Sequence, residues 1–157
     1  MAKAHSSHHE VEDIRAVCCN SSEQSEWCLV KWLNFDETHT QWVRTQDVRA
    51  PELLKRAREH QSASDAEWTW EYYLDAPMNG FPVGWHPYSG HAQISINKYF
   101  REYCKDECAM ADSIECVLSG KYQYLINFAE MTQTNVRVAA KTVRKIRCLP
   151  KRAIVAV

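Results

Sequence analysis

Tyr122-Gln-Tyr-Leu-Ile-Asn-Phe-Ala-Glu-Met-Thr-Gln-Thr-Asn135, followed by Arg144-Lys-Ile-Arg147, is the stretch that decides the fold. An aromatic and aliphatic strand ends in a polar run, and a basic strand follows. Alternation puts Tyr122, Tyr124 and Ile126 on one face and Leu125 and Asn127 on the other. Upstream, residues 115–118 pair with residues 122–128 as a hairpin turning at Ser119-Gly120. Before that, Ser95 caps a helix carrying Ile96, Tyr99, Phe100 and Tyr103 at i, i+3, i+4, i+7 spacing. Residues 68–74 read as a strand, residues 75–84 as a loop rich in Pro and Gly, and residues 85–88 as extended chain. One helix against several antiparallel strands makes this half an α+β unit.

The same stretch brings three kinds of chemistry within reach of one ligand. Tyr124 offers a ring and a hydroxyl, and Gln133 both donates and accepts. Arg144 can grip a phosphate with two parallel hydrogen bonds. A nucleotide-like molecule needs all three groups. Each also has a structural alternative: Tyr124 in the core, Gln133 as an ordinary strand residue, Arg144 as a solvated charge.

The first half has its own pattern. Residues 11–17 alternate like a strand, residues 20–25 turn, and residues 26–33 form a strand with an apolar centre. Residues 34–40 are a polar loop and Gln41-Trp-Val-Arg44 is another strand. Pro51 opens a helix over residues 52–60. Residues 61–66 read as a linker, small and polar. The expected organisation is a disordered end at residues 1–8, one domain at 9–60, a second at 67–150, and a tail at 151–157.

The chain has 157 residues, 45% apolar and 25% charged, which predicts packed cores. The net charge of -1 hides an asymmetry. From Met131 onward there are seven basic residues and no acidic ones, whereas residues 61–130 carry ten acids and four bases. A localised anion-binding face fits that split, and so does a solvated basic tail. General nucleic-acid binding by the basic strand is a further reading. Seven cysteines with no signal peptide read as reduced thiols of a cytosolic or nuclear protein, the nucleus being favoured. Cys104 and Cys108 are one helical turn apart, but no second pair completes a zinc pattern, so no metal or cofactor is expected. There is no apolar run of membrane-spanning length, and a membrane partner is not expected. Phosphate-loop, nucleophile-elbow and His-Glu-x-x-His motifs are missing, so catalysis is not expected either.

Trp68-x-Trp-Glu71, Gly84-Trp85-x-x-Tyr88, the Tyr124 to Asn135 run and Arg144-Lys-Ile-Arg147 together resemble a WWE domain over residues 67–150. The resemblance implies a curved antiparallel half-barrel sheet packed on one helix. It implies recognition of poly(ADP-ribose) through its internal iso-ADP-ribose unit, or of terminal ADP-ribose on modified proteins. It also implies a setting among ubiquitin-ligase components or ADP-ribosyltransferases. Carried over by position, Trp85, Tyr124, Gln133 and Arg144 fall at ligand contacts, with Lys145 and Arg147 adding phosphate contacts or lying on the outer face. Trp68 and Trp70 read as core. Three departures stand out: Thr69 between the first two Trp residues, the long loop at residues 75–83, and Asn97 where an acid is common.

Glu26-Trp-Cys-Leu-Val-Lys-Trp32-Leu-Asn-Phe35, then Trp42 and the helix at residues 52–60, is similar to a chromodomain or chromo-barrel. That resemblance implies a small β-barrel with a C-terminal helix. It also implies an aromatic cage of Trp32, Phe35 and His9 holding methyl-lysine on a histone or other peptide. The alternative is a barrel used for packing or protein contact. The expected fold class is therefore α+β throughout.

Overall fold

The computed structural model describes residues 9–20, 23–63, 65–106, 114–119, 122–136 and 142–151. The expected mobile end at residues 1–8, Gly120 of the hairpin turn, Cys108 and residues 152–157 lie outside the described residues. The fold is mixed, with two antiparallel sheets and two α-helices among the described residues.

In the first half, β1 (Val11–Asn20), β2 (Ser25–Trp32) and β3 (Gln41–Arg44) form a three-stranded meander. Both of its faces are covered. Ile14, Val17, Cys28 and Val30 point to α1 (Pro51–Ser62), whose Leu54 and Ala57 meet them. Ala16, Cys18 and Leu29 point the other way, into the core of the second half. This double burial explains why the centre of β2 is a continuous apolar run rather than an alternating one. Pro51 stands in the first turn of α1, where its missing N–H costs nothing. The helix runs on through Gln61 and Ser62, two residues of the expected linker, and Gln61 Oε1 accepts from Val17 N at 3.2 Å.

In the second half, β4 (Trp68–Leu74), β5 (Gly84–Pro87), β6 (Ile114–Ser119), β7 (Tyr122–Asn127), β8 (Thr132–Asn135) and β9 (Val143–Pro150) make one antiparallel sheet in the order β5-β4-β9-β8-β7-β6. α2 (Gly90–Asp106) packs across it with Ile96, Phe100 and Tyr103 buried. Tyr99 is only partly covered. The helix begins before Ser95, which lies in its interior. The cap is Ser89: its hydroxyl accepts from Ala92 N at 3.4 Å and its carbonyl from Gln93 N at 2.9 Å. Ser95 carries the right side chain for a cap, but the chain is already helical there.

Trp68 and Trp70 are fully buried, with ring centroids 4.9 and 4.8 Å from Phe100 in edge-to-face contact. The halves share this core. From β3, the Trp42 ring lies 6.3 Å from Phe100 and 6.0 Å from Tyr103, and its Nε1 donates to the Phe128 carbonyl at 2.9 Å. In the other direction Trp68 Nε1 donates to the Arg15 carbonyl at 2.7 Å.

Trp42 therefore tests whether the halves unfold together. Trp42→Phe is expected to lower stability by about 1 kcal/mol through the lost hydrogen bond. Trp42→Ala is expected to cost about 3 kcal/mol through lost packing. Urea melts followed by tryptophan fluorescence and by far-ultraviolet dichroism should give one coincident transition. Separate transitions for the two signals would show that the shared core does not couple the halves.

Candidate functional site

The register of the large sheet sorts its side chains onto two faces. Tyr72 pairs with Ile146 and with His86, Gln133 with Arg144 and with Ile126, and Tyr124 with Asn135. All of these lie on the face that carries Trp68 and Trp70. Beyond the start of α2 that face opens into a cavity of about 370 Å3, lined by Tyr72, Tyr88, Tyr124, Asn135, Arg144 and the loop residues Met78, Asn79 and Phe81. This volume is at the small end of the range for ligand pockets.

Three tyrosines form the aromatic side. The Tyr88 ring is 5.1 Å from Tyr72 and 6.3 Å from Tyr124, steeply inclined to both. The Tyr88 hydroxyl donates to Gln133 Oε1 beneath the cavity. Burial pushes the Tyr88 hydroxyl well above its ordinary value of 10.0. Charge on Tyr124 and Tyr72 would push the same way, and Arg144 opposes. The group thus stays a donor at every pH near neutrality. Gln133 itself is 1% exposed, so its amide shapes the cavity through Tyr88 and does not line it.

Arg144 supplies the charge. It is half-buried and forms no ion pair with a carboxylate among the described residues. Its Nη2 lies 3.7 Å from the Met78 sulfur. Met78 belongs to a tight turn closed by Met78 N to Phe81 O at 3.0 Å and Phe81 N to Met78 O at 2.9 Å. Asn79 and Gly80 hold φ of 50° and 84°, as a two-residue turn of this hand requires. The turn therefore stands over the cavity mouth with Phe81 packed on His86 at 5.4 Å.

The other expected contacts lie elsewhere. Trp85 pairs with Tyr73, and Arg147 with Glu71, on the opposite face of the sheet. There the Arg147 guanidinium sits 4.5 Å from the Trp85 ring centroid and bonds Glu71 Oε1 at 2.8 Å. Lys145 is also on that side, its Nζ reaching the Glu130 carbonyl at 3.4 Å. The six expected contacts thus divide: Tyr124 and Arg144 line the cavity, Gln133 lies under it, Trp85 is behind the sheet and not beside Tyr124, and Lys145 and Arg147 take the outer-face alternative. Sequence reading missed Tyr72 as a pocket residue. Its two-residue offset from the buried Trp70 was the available signal, since it fixes the face.

In the first half, the His9 ring lies 4.9 Å from Phe35 at 77° and 6.2 Å from Trp32 at 67°. The three rings form a corner on a second cavity of about 780 Å3, which Tyr73, Asp75, Val143 and Arg144 also line. Among the described residues no group of three or more His, Cys, Asp or Glu is placed to hold a metal ion.

A family model described as WWE domain matches residues 68–148, more than half of the chain, and the chain belongs to that family. WWE domains are modules of ADP-ribose and ubiquitin-ligase settings. The match does not extend into the first half. No curated protein matches the chain.

Tyr88→Phe is expected to lower stability near neutral pH by about 1–2 kcal/mol, because Gln133 loses a buried partner. The folded hydroxyl ionises above its unfolded value, so the unfolded chain loses its proton first and stability falls as pH rises past 10.0. That alkaline loss should be shallower in Tyr88→Phe. Urea midpoints of both proteins between pH about 7 and about 11 check the sign.

Proposed function

We propose that this WWE-family chain recognises ADP-ribose, as a polymer or as a chain end on modified proteins, and does not transform it. One observation carries the reading: a half-buried arginine beside three tyrosines meets no carboxylate among the described residues. A partly desolvated guanidinium is costly without a counter-charge, and an incoming phosphate would provide it. Arg147, three residues on, makes the contrast: Glu71 already neutralises it. In this mechanism the ring of Tyr124 or Tyr72 stacks on the base or ribose. The Tyr88–Gln133 pair fixes the floor and Arg144 takes phosphate. The Met78–Phe81 turn narrows one side, which favours a terminal unit over an internal one. The setting expected for such a reader is an ADP-ribosylation or ubiquitin-ligase pathway.

A second reading places a peptide-binding, chromo-like module in the first half. The convergence of His9, Trp32 and Phe35 favours it.

Calorimetric titration with ADP-ribose, iso-ADP-ribose and ATP tests the first reading. Arg144→Ala is expected to weaken binding roughly 10- to 100-fold, the loss of one charged hydrogen-bonding group. Arg147→Ala should bind as wild type does while melting at a lower temperature. Absence of heat with all three ligands in the wild type would end this reading.

A further inference from the structure

We infer that Met78 is an oxidation site whose sulfoxide takes the phosphate's place on Arg144 and turns the tyrosine pocket off. The inference rests on the ADP-ribose reading of that pocket and adds its regulation. Met78 and Arg144 line the same cavity, and Arg144 Nη2 lies 3.7 Å from the Met78 sulfur. A thioether sulfur is a weak acceptor, so this contact leaves the guanidinium to an incoming phosphate. The Met78 side chain is 42% exposed, within reach of a dissolved oxidant. Met131, by contrast, is 2% exposed in the shared core. The fold thus offers one methionine to an oxidant at the pocket and shields another inside.

The chemistry is a two-electron step with a peroxide. The sulfur lone pair attacks one peroxide oxygen, an S–O bond forms as the O–O bond breaks, and water leaves. Sulfur is oxidised and the peroxide is reduced. The product is a neutral sulfoxide, polar where the thioether was apolar. Its oxygen is carried on a sulfur already beside Nη2, which brings a good acceptor within hydrogen-bonding reach of the guanidinium. The turn keeps it there. Met78 N donates to Phe81 O at 3.0 Å and Phe81 N donates to Met78 O at 2.9 Å, so the backbone that carries the sulfur is held at the cavity mouth. Arg144 pairs with no carboxylate among the described residues, so the sulfoxide competes with the ligand alone. Enzymatic reduction of the sulfoxide returns the thioether and frees the cation.

The test treats the full chain with hydrogen peroxide, then with a thiol reductant, which restores cysteine disulfides and leaves sulfoxides in place. Peptide mapping by mass spectrometry should find Met78 oxidised well before Met131. Calorimetric titration with ADP-ribose should then show about tenfold weaker binding, and methionine sulfoxide reductase should restore it. Met78→Leu, compared with itself before and after peroxide, should keep its affinity. Met78→Gln places a carbonyl acceptor at similar reach and should bind more weakly than Met78→Leu with no oxidant present. Oxidation of Met131 ahead of Met78, an affinity unchanged after full oxidation of Met78, or an equal loss in treated Met78→Leu each overturns the switch and spares the pocket. So does a treated wild type that has unfolded at the titration temperature, as its melting curve would show. If the untreated wild type does not bind ADP-ribose, the ADP-ribose reading falls and this inference falls with it.

Discussion

Two side-chain amides on α2 hold the sheet where the rest of the molecule needs it. β5 pairs only with Glu71 to Leu74, so the backbone of Trp68 to Trp70 has no strand on that side. Gln93 and Asn97, four residues apart on one helix face, stand in for the missing strand. Gln93 accepts from Trp70 N at 2.8 Å and donates to Trp70 O at 2.7 Å. Asn97 accepts from Trp68 N at 2.9 Å and from Trp70 Nε1 at 3.2 Å, and donates to Trp68 O at 3.0 Å. Unpaired, each of those buried groups would cost roughly 1–3 kcal/mol. A carboxylate at position 97 would accept both N–H groups and leave the Trp68 carbonyl bare. The amide serves all three, which gives a physical reason for Asn there. With β4 pinned, both tryptophan rings close on Phe100, and Tyr72 is carried to the pocket two residues further along.

Strand alternation then decides which charges are available to a ligand. On β9, Arg144, Ile146 and Cys148 face the helix side, while Lys145 and Arg147 face away. The basic run is therefore two sets with different work. The outer set clamps β4 to β9 and β5 through Glu71, Arg147 and Trp85. Partly buried, with the Arg147 guanidinium between a carboxylate and a ring, this cluster fastens the sheet. The inner set has one cation, at the mouth of an aromatic cavity.

Much of the fold was legible because its signals are local. Gln41 to Arg44 and Trp68 to Leu74 stand as strands where composition and flanking turns put them. The start of α2 was harder: Ser89 and Ser95 are equally good caps by type, and the choice is made by Gln93 and Asn97 reaching β4, a contact across the fold. The site was legible in part. Tyr124 and Arg144 share a cavity, but Trp85 was assigned by its position after Gly84. Its face depends on the β4–β5 register, which the loop between them sets. No local pattern announces the bond from Trp42 to the Phe128 carbonyl, whose partners are 86 residues apart.

That long-range bond bears on function. The seam between the halves has an apolar centre, built from Ala16, Cys18 and Leu29 against Trp68, Phe100, Cys104 and Cys148. Burial, and then the neighbouring Cys104, pushes the Cys148 thiol well above its ordinary value, so it behaves as a small apolar filler. Close packing of this kind leaves few alternative arrangements. The ring corner of the first half and Arg144 of the second are thus set relative to each other by a core, not by loops.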